Sequence, residues 1–198
     1  LSYHSLVEKH QFPIIEDEQF WNIYLLDDTL IFQSLNRLIL LNRETSEIKS
    51  ITPDLPITKS FVIDNRLFFQ LESDGVYELD GNGITYLFGK SEFKNTEVIQ
   101  LFPLSDGFRV LTSTKGLFSY RNNRLLKWNI LQDDFLKDLV YSGLQSANGD
   151  YVIGTVSNGL YIISENGRKS KHYNFEKGLL NNTVLSIYED ADLNLWLG

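Results

Sequence analysis

The chain has 198 residues, 42% hydrophobic and 13% aromatic, with only four prolines: enough apolar matter for a sizeable core and too little proline for a disordered linker. Its 18 Lys and Arg against 26 Asp and Glu leave a formal charge of −8, which repels a phosphate backbone and argues against direct nucleic-acid contact. Cysteine is absent, which excludes disulfides, thiolate metal sites and cysteine nucleophiles. No apolar run approaches the roughly 18 residues of a membrane span, and no signal peptide is visible.

Read in chain order, four segments repeat one sequence of features: an apolar strand, a polar turn, a second apolar strand, a short turn, then an aliphatic-aromatic strand. The first runs Ile23-Tyr24-Leu25-Leu26, Asp27-Asp28, Leu30-Ile31-Phe32 and Leu38-Ile39-Leu40. The second runs Phe61-Val62-Ile63, Asp64-Asn65, Leu67-Phe68-Phe69 and Gly75-Val76-Tyr77. The third is Val98 to Leu101, Ser105-Asp106-Gly107, Phe108-Arg109-Val110 and Gly116-Leu117-Phe118. The fourth is Tyr141 to Leu144, Ala147-Asn148-Gly149, Tyr151-Val152-Ile153 and Gly159-Leu160-Tyr161. A fifth opens at Val184-Leu185-Ser186-Ile187-Tyr188 and reaches Leu195-Trp196-Leu197-Gly198.

Equivalent third-strand positions Leu38, Val76, Leu117 and Leu160 are 38, 41 and 43 residues apart. That period suits a propeller blade, is too long for leucine-rich repeats, and lacks the amphipathic helices of helical solenoids. A variable fourth strand follows each third, as at Ile48-Lys49-Ser50-Ile51, Ile84-Thr85-Tyr86-Leu87 and Arg124 to Trp128. Asp106-Gly107 and Asn148-Gly149 are hairpin signals, and Gly75, Gly116 and Gly159 are expected in second tight turns. The fold expected is all-β, a β-propeller of four-stranded antiparallel blades with helix below a tenth of residues. Blade-like repeats are expected at 19–57, 58–95, 96–137 and 138–179, with an incomplete one at 180–198, all in a single propeller region 1–198. Residues 1–18 are read as the outer strand of a preceding blade, around Tyr3-His4-Ser5-Leu6-Val7, plus a linker. Four to five blades make a partial propeller of a longer parent. Open propeller ends invite pairing with another copy, so a homodimer is among the expected partners.

The run Gly178-Leu179-Leu180-Asn181-Asn182-Thr183-Val184-Leu185-Ser186-Ile187-Tyr188-Glu189-Asp190-Ala191-Asp192-Leu193-Asn194-Leu195-Trp196-Leu197-Gly198 resembles the two-component regulator propeller repeat. There a Gly-Leu-x-x-Asn segment leads into the innermost strand, and an acidic hairpin turn then leads to Asn-Leu-Trp-Ile-Gly. Leu193 replaces the usual turn glycine. Asn148 to Thr155 and Ser157 to Tyr161 match the same pattern one blade earlier, so the specific likeness covers roughly the last 60 residues. Tyr3 to Val7, Trp21-Asn22-Ile23 and Ile31 to Ser34 are similar to relatives that carry a triple-tyrosine domain. The resemblance implies the periplasmic sensor of a bacterial regulator, of a kind common in Bacteroidetes. Such sensors precede a membrane helix and a histidine kinase or a LuxR-type DNA-binding module, and many answer to carbohydrate fragments.

Candidate chemistry is sparse. Asp190-x-Asp192-x-Asn194 resembles the start of a calcium loop but is read as a hairpin turn. The carboxylate groups Glu16-Asp17-Glu18 and Asp133-Asp134 are read as solvated surface rather than a glycosidase pair. Asp133 to Leu139 reads as an inter-blade loop or single turn. His4, His10 and His172 are isolated, and neither a phosphate loop nor a Gly-x-Ser-x-Gly elbow is present, so no metal or cofactor is expected. Trp21, Trp128 and Trp196 could stack on sugars, although core packing is the expectation for each.

The leading reading is a binding module without chemistry of its own. In a propeller the loops between second and third strands converge on one face. Here they carry Ser34 to Arg37, Glu72 to Asp74, Ser113 to Lys115 and Val156 to Asn158. Candidate ligand-binding residues are therefore Asn36, Arg37, Glu72, Asp74, Lys115 and Asn158, joined by Trp21 where the chain enters the first innermost strand toward the channel; they mix donors and acceptors as polyol or oligosaccharide binding requires. Ordinary hairpin turns are the alternative for any one of them. A propeller enzyme acting on glycans or peptides, and a scaffold for protein partners, are the competing functions.

Overall fold

The computed structural model describes residues 15–81, 83–129 and 137–198. Among them there are four four-stranded antiparallel sheets and one two-stranded sheet, and no α-helix. The expected strand around Tyr3, His4, His10 and the Asp133-Asp134 pair lie outside the described residues. The chain divides into two compact units, Leu1–Leu87 and Phe88–Gly198.

The first unit carries two sheets. One is β1 (Phe20–Leu26), β2 (Thr29–Ser34), β3 (Leu38–Asn42) and β4 (Ile48–Ile51), in that order. The other is β5 (Ile57–Ile63), β6 (Arg66–Leu71), β7 (Val76–Asp80) and β8 (Gly83–Phe88). Each is a meander in which every strand pairs with its sequence neighbour, as short hairpin connections dictate. The Asp64-Asn65 turn places both residues at positive φ, 49° and 57°, the conformation a tight hairpin between twisted strands demands. Central strands are buried on both faces, so β6 reads Leu-Phe-Phe-Gln-Leu without polar alternation. Ile31 and Leu38 of the first sheet pack with Ile57, Leu67, Phe69 and Leu71 of the second in one buried cluster.

The second unit repeats the plan. It holds β9 (Val98–Leu104), β10 (Gly107–Thr112), β11 (Gly116–Arg121) and β12 (Arg124–Lys127), then β13 (Val140–Gln145), β14 (Tyr151–Thr155), β15 (Leu160–Ile163) and β16 (Ser170–Tyr173). The pair β17 (Ile187–Glu189) and β18 (Leu195–Leu197) follows. Between the third and fourth sheets Ile99, Phe102, Leu111 and Leu117 meet Val140, Tyr151, Ile153, Tyr161 and Ile163. Arg109 is buried at this junction, its guanidinium 3.6 Å from the Trp128 ring centroid, which lets an apolar interface hold a cation.

One irregularity recurs in all four sheets. Near the start of the innermost strand one residue is left out of the pairing register: Trp21 between Phe20 and Asn22, Thr58 between Ile57 and Lys59, Ile99 opposite the Leu111–Thr112 step, and Tyr141 between Val140 and Ser142. A bulge bends its strand and re-aims the side chain it carries.

Three expectations need correction. Gly75 is not at positive φ; Ser73 takes the left-handed conformation in that turn, at φ 52°. Trp196 is not in the core: it stands opposite Tyr188 on the outward face of β17–β18, 63% exposed, because no second sheet among the described residues covers that face. Trp21 is likewise 66% exposed rather than packed.

The Asp190 loop is a hairpin turn. Asp190 Oδ1 accepts from the backbone N–H of Asp192 (3.0 Å) and Asn194 (2.8 Å), and Oδ2 from Asn194 Nδ2 (3.2 Å) and Trp196 Nε1 (2.7 Å). These bonds hold the Asp190 carboxyl below the usual range, the Trp196 indole contributing most. A carboxylate so engaged faces its own turn. Leu193 sits there at φ 65°, where a Cβ costs about 1–2 kcal/mol. Leu193→Gly relieves that strain but frees more of the unfolded chain, leaving a net gain of about 0.5–1 kcal/mol. Amide exchange across β17–β18 is expected to slow about two- to five-fold; unchanged protection would refute the assignment of strain.

Candidate functional site

The site begins with the second hairpin of the first sheet, between β2 and β3. Ser34 ends β2, and its Oγ accepts from the N–H of Asn36 (3.3 Å) and Arg37 (3.1 Å), closing a turn that pushes Leu35 and Asn36 outward. Leu35 O accepts from Ile57 N at 2.7 Å, pinning this turn to β5. A second turn precedes β1: Glu18 N donates to Ile15 O at 3.2 Å, with Asp17 at φ 62°. Arg37 joins the two. Its Nε donates to Glu18 Oε1 at 2.8 Å and its Nη2 to Oε2, a bidentate pair whose side chains are 8% and 9% exposed. The Arg37 hydrogen bonds hold the Glu18 carboxyl below its usual value against the opposing effect of burial, and the pair keeps Arg37 protonated.

Above this floor opens a pocket of about 310 Å³ lined by Ile15, Glu16, Asp17, Glu18, Gln19, Trp21, Ser34, Leu35 and Asn36. The bulge at Trp21 turns its indole out of the pairing register, and the ring is one wall. The side chains of Glu16, Asp17, Gln19 and Asn36 are exposed and, among the described residues, form no side-chain hydrogen bond or ion pair. The site therefore joins a rigid, charge-neutralised base to a rim of unspent donors and acceptors beside an aromatic face.

Of the seven candidate ligand residues, Trp21 and Asn36 line this pocket and Arg37 braces it. Glu72 is exposed in the β6–β7 turn, its N–H donating to Pro56 O at 2.8 Å. Asp74 is buried there and accepts from Tyr77 OH at 3.1 Å. The other two lie in the second unit. Lys115 Nζ donates to the carbonyls of Glu92 (2.6 Å) and Lys94 (2.9 Å). Asn158 Nδ2 donates to Tyr161 OH at 2.8 Å, and Asn158 O lies 2.7 Å from His172 Nε2, whose ring stacks on Tyr161. Arg37, Asp74, Lys115 and Asn158 thus spend polar groups holding their own loops. Sequence reasoning did not connect Glu18, Gln19 and Ile15 with the site; the signal was an acidic triplet just before the first strand, whose Glu18 lies 19 residues from Arg37 in the β2–β3 turn.

Tyr77, beside Asp74, offers a pH test of its buried setting. Burial first, and then the Asp74 charge, push its phenol up to about 12 from 10.0. The neutral phenol is favoured in the folded chain. Its stabilisation is fully present below pH 10 and is lost as pH rises through about 12. Tyr77→Phe is expected to flatten the fall in stability across that window and to remove one late-ionising tyrosine from an ultraviolet titration. Parallel stability profiles of the two proteins would refute it.

Among the described residues, no three His, Cys, Asp or Glu side chains converge to hold a metal ion, and no helix is long and apolar enough to cross a membrane. No family model matches the chain, and no curated protein matches it by sequence. Solved structures do match. The extracellular domain of BT4673 from B. thetaiotaomicron, assigned to a one-component or hybrid two-component system, aligns at TM-score 0.67 and 20% identity, over 89% of this chain and 25% of that one. The extracellular domain of BT3049 from B. thetaiotaomicron, assigned to a hybrid two-component system, aligns at TM-score 0.65 and 16% identity, over 89% and 27%. A streptogramin B lyase aligns at TM-score 0.67 and 14% identity, over 92% and 63%. The chain thus spans about a quarter of the length of the first two. At these identities the likeness shows the fold: the chain is part of a β-propeller of four-stranded antiparallel blades.

Proposed function

We propose that this chain is a ligand-sensing, non-catalytic part of a periplasmic propeller in a membrane-anchored bacterial signal-transduction regulator, and that it recognises a carbohydrate-derived ligand. The observation that carries the reading is the pocket at Trp21, where an exposed indole faces unspent carboxylates and amides over a locked ion pair. Sugars present apolar C–H faces and hydroxyl edges, and an aromatic wall with a polar rim answers both. Likeness to extracellular domains of regulators supports the sensor role and the location. Direct nucleic-acid contact is not part of the role, given the charge of −8.

Likeness to a lyase favours a second reading, an enzyme of propeller fold. A turnover assay separates the two: binding without product formation supports the sensor. Isothermal titration against a panel of glycan oligomers tests recognition. Trp21→Ala is expected to weaken the best binder at least tenfold, about 1.4 kcal/mol, without loss of fold, since the ring is largely exposed. Unchanged affinity in Trp21→Ala would remove the pocket from the reading.

A further inference from the structure

We propose that the Trp21 pocket prefers sugars carrying a protonated amine, an amino sugar or its oligomers, over neutral or acidic ones; this rests on the carbohydrate reading above. Charge in the pocket is divided unevenly. Among the described residues no lysine, arginine or histidine lines it. The nearest cation, Arg37, braces the floor from beneath and is bound on both forks by Glu18, so it has no charge left to offer an acidic ligand. Two carboxylates, Glu16 and Asp17, remain on the rim without a described partner, and both are exposed.

The third element is the indole of Trp21, held beside them by the bulge. An aromatic face attracts an ammonium group as well as a sugar's C–H face, so ring and carboxylates reinforce each other for an amine and for no other common sugar substituent. An N-acetyl group removes that charge, and a uronate meets like charges. The free amides of Gln19 and Asn36 remain for hydroxyl groups, which every sugar carries, so they bind without discriminating. Screened attraction to two carboxylates plus an exposed cation–π contact amounts to about a tenfold preference.

The test is isothermal titration of the whole chain at pH 6 with four tetrasaccharides: glucosamine, N-acetylglucosamine, cello- and galacturonate oligomers. The glucosamine oligomer is expected to bind about tenfold tighter than cellotetraose and the galacturonate oligomer most weakly, with the amine preference falling below about twofold in 0.5 M salt. Glu16→Gln with Asp17→Asn should abolish the preference, so that within that variant the glucosamine oligomer and cellotetraose bind within about twofold of each other; asparagine accepts the positive φ at position 17. Equal binding of the amine and neutral oligomers, or a preference that survives in the double variant, would overturn this inference alone. Failure of all four to bind would overturn it together with the carbohydrate reading.

Discussion

Gly159→Ala is expected to cost roughly 3 kcal/mol or more, while Gly149→Ala, at nearly the same backbone angle, costs only about 1–2 kcal/mol. The two glycines sit at φ 80° and 85°, so the left-handed penalty of a Cβ is common to both. Their surroundings differ. At Gly149 the nearest atoms belong to the flexible Glu165 side chain, 3.4 Å away, and can yield. At Gly159 a Cβ would lie 2.1 Å from Tyr173 O and 3.0 Å from Asn174 Cα, both backbone. Relief would require β15 and β16 to part where Leu160 pairs with Tyr173. Two further ties meet at this residue: Gly159 N donates to Asn182 O at 2.7 Å, and Thr155 N and Oγ1 both donate to Gly159 O at 3.0 Å. Asn182 opens the approach to β17, so the strain spreads from the fourth blade toward the fifth sheet. Urea unfolding of the two variants measures the difference. Equal losses would mean that backbone angle alone selected both glycines.

The strands were legible because each repeat buries apolar residues at short, regular intervals between turn-forming pairs. Leu67-Phe68-Phe69 and Tyr151-Val152-Ile153 could only be strands lying between two neighbours, and both are nearly inaccessible in β6 and β14. The fold class followed from that spacing, and the antiparallel order followed from connections too short for a crossover. Burial of single aromatics was not legible. Trp21 and Trp196 occupy strand positions where an aromatic normally packs, yet whether a sheet face is covered depends on what lies across from it, which period alone does not carry. The pocket was half legible. Trp21 and Asn36 stood out as residue types, but the floor depends on Glu18 meeting Arg37 across 19 residues, a tertiary contact with no local signature. From sequence the acidic triplet reads as one solvated group, whereas the structure gives its members different work: Glu18 is spent on Arg37, and Glu16 and Asp17 line the pocket.

Removing Arg37 should damage both stability and recognition, and the order of the variants identifies the cause. Arg37→Ala leaves the Glu18 carboxylate in a site that is 9% exposed, and Glu18→Ala leaves the guanidinium at 8%. Breaking a buried pair by deleting one partner costs about 3 kcal/mol, most of it the penalty of the stranded charge. The double variant Glu18→Leu with Arg37→Met strands neither charge and fills similar volume, so it should be more stable than either single variant. Glu18 also gives the pair a pH signature. Its folded pKa is lowered, so its contribution is present above the ordinary carboxylate value and is lost as pH falls through the lowered one. Denaturation from pH 7 down to pH 3 should show that decline in the parent and not in the double variant. Recognition should separate from stability. The double variant keeps Trp21 and Asn36 but replaces the bidentate bridge that fixes the two turns with a contact that has no set geometry, so ligand affinity should fall even where stability is restored. A double variant that recovers both would reduce Arg37 to a stabilising residue with no part in shaping the pocket.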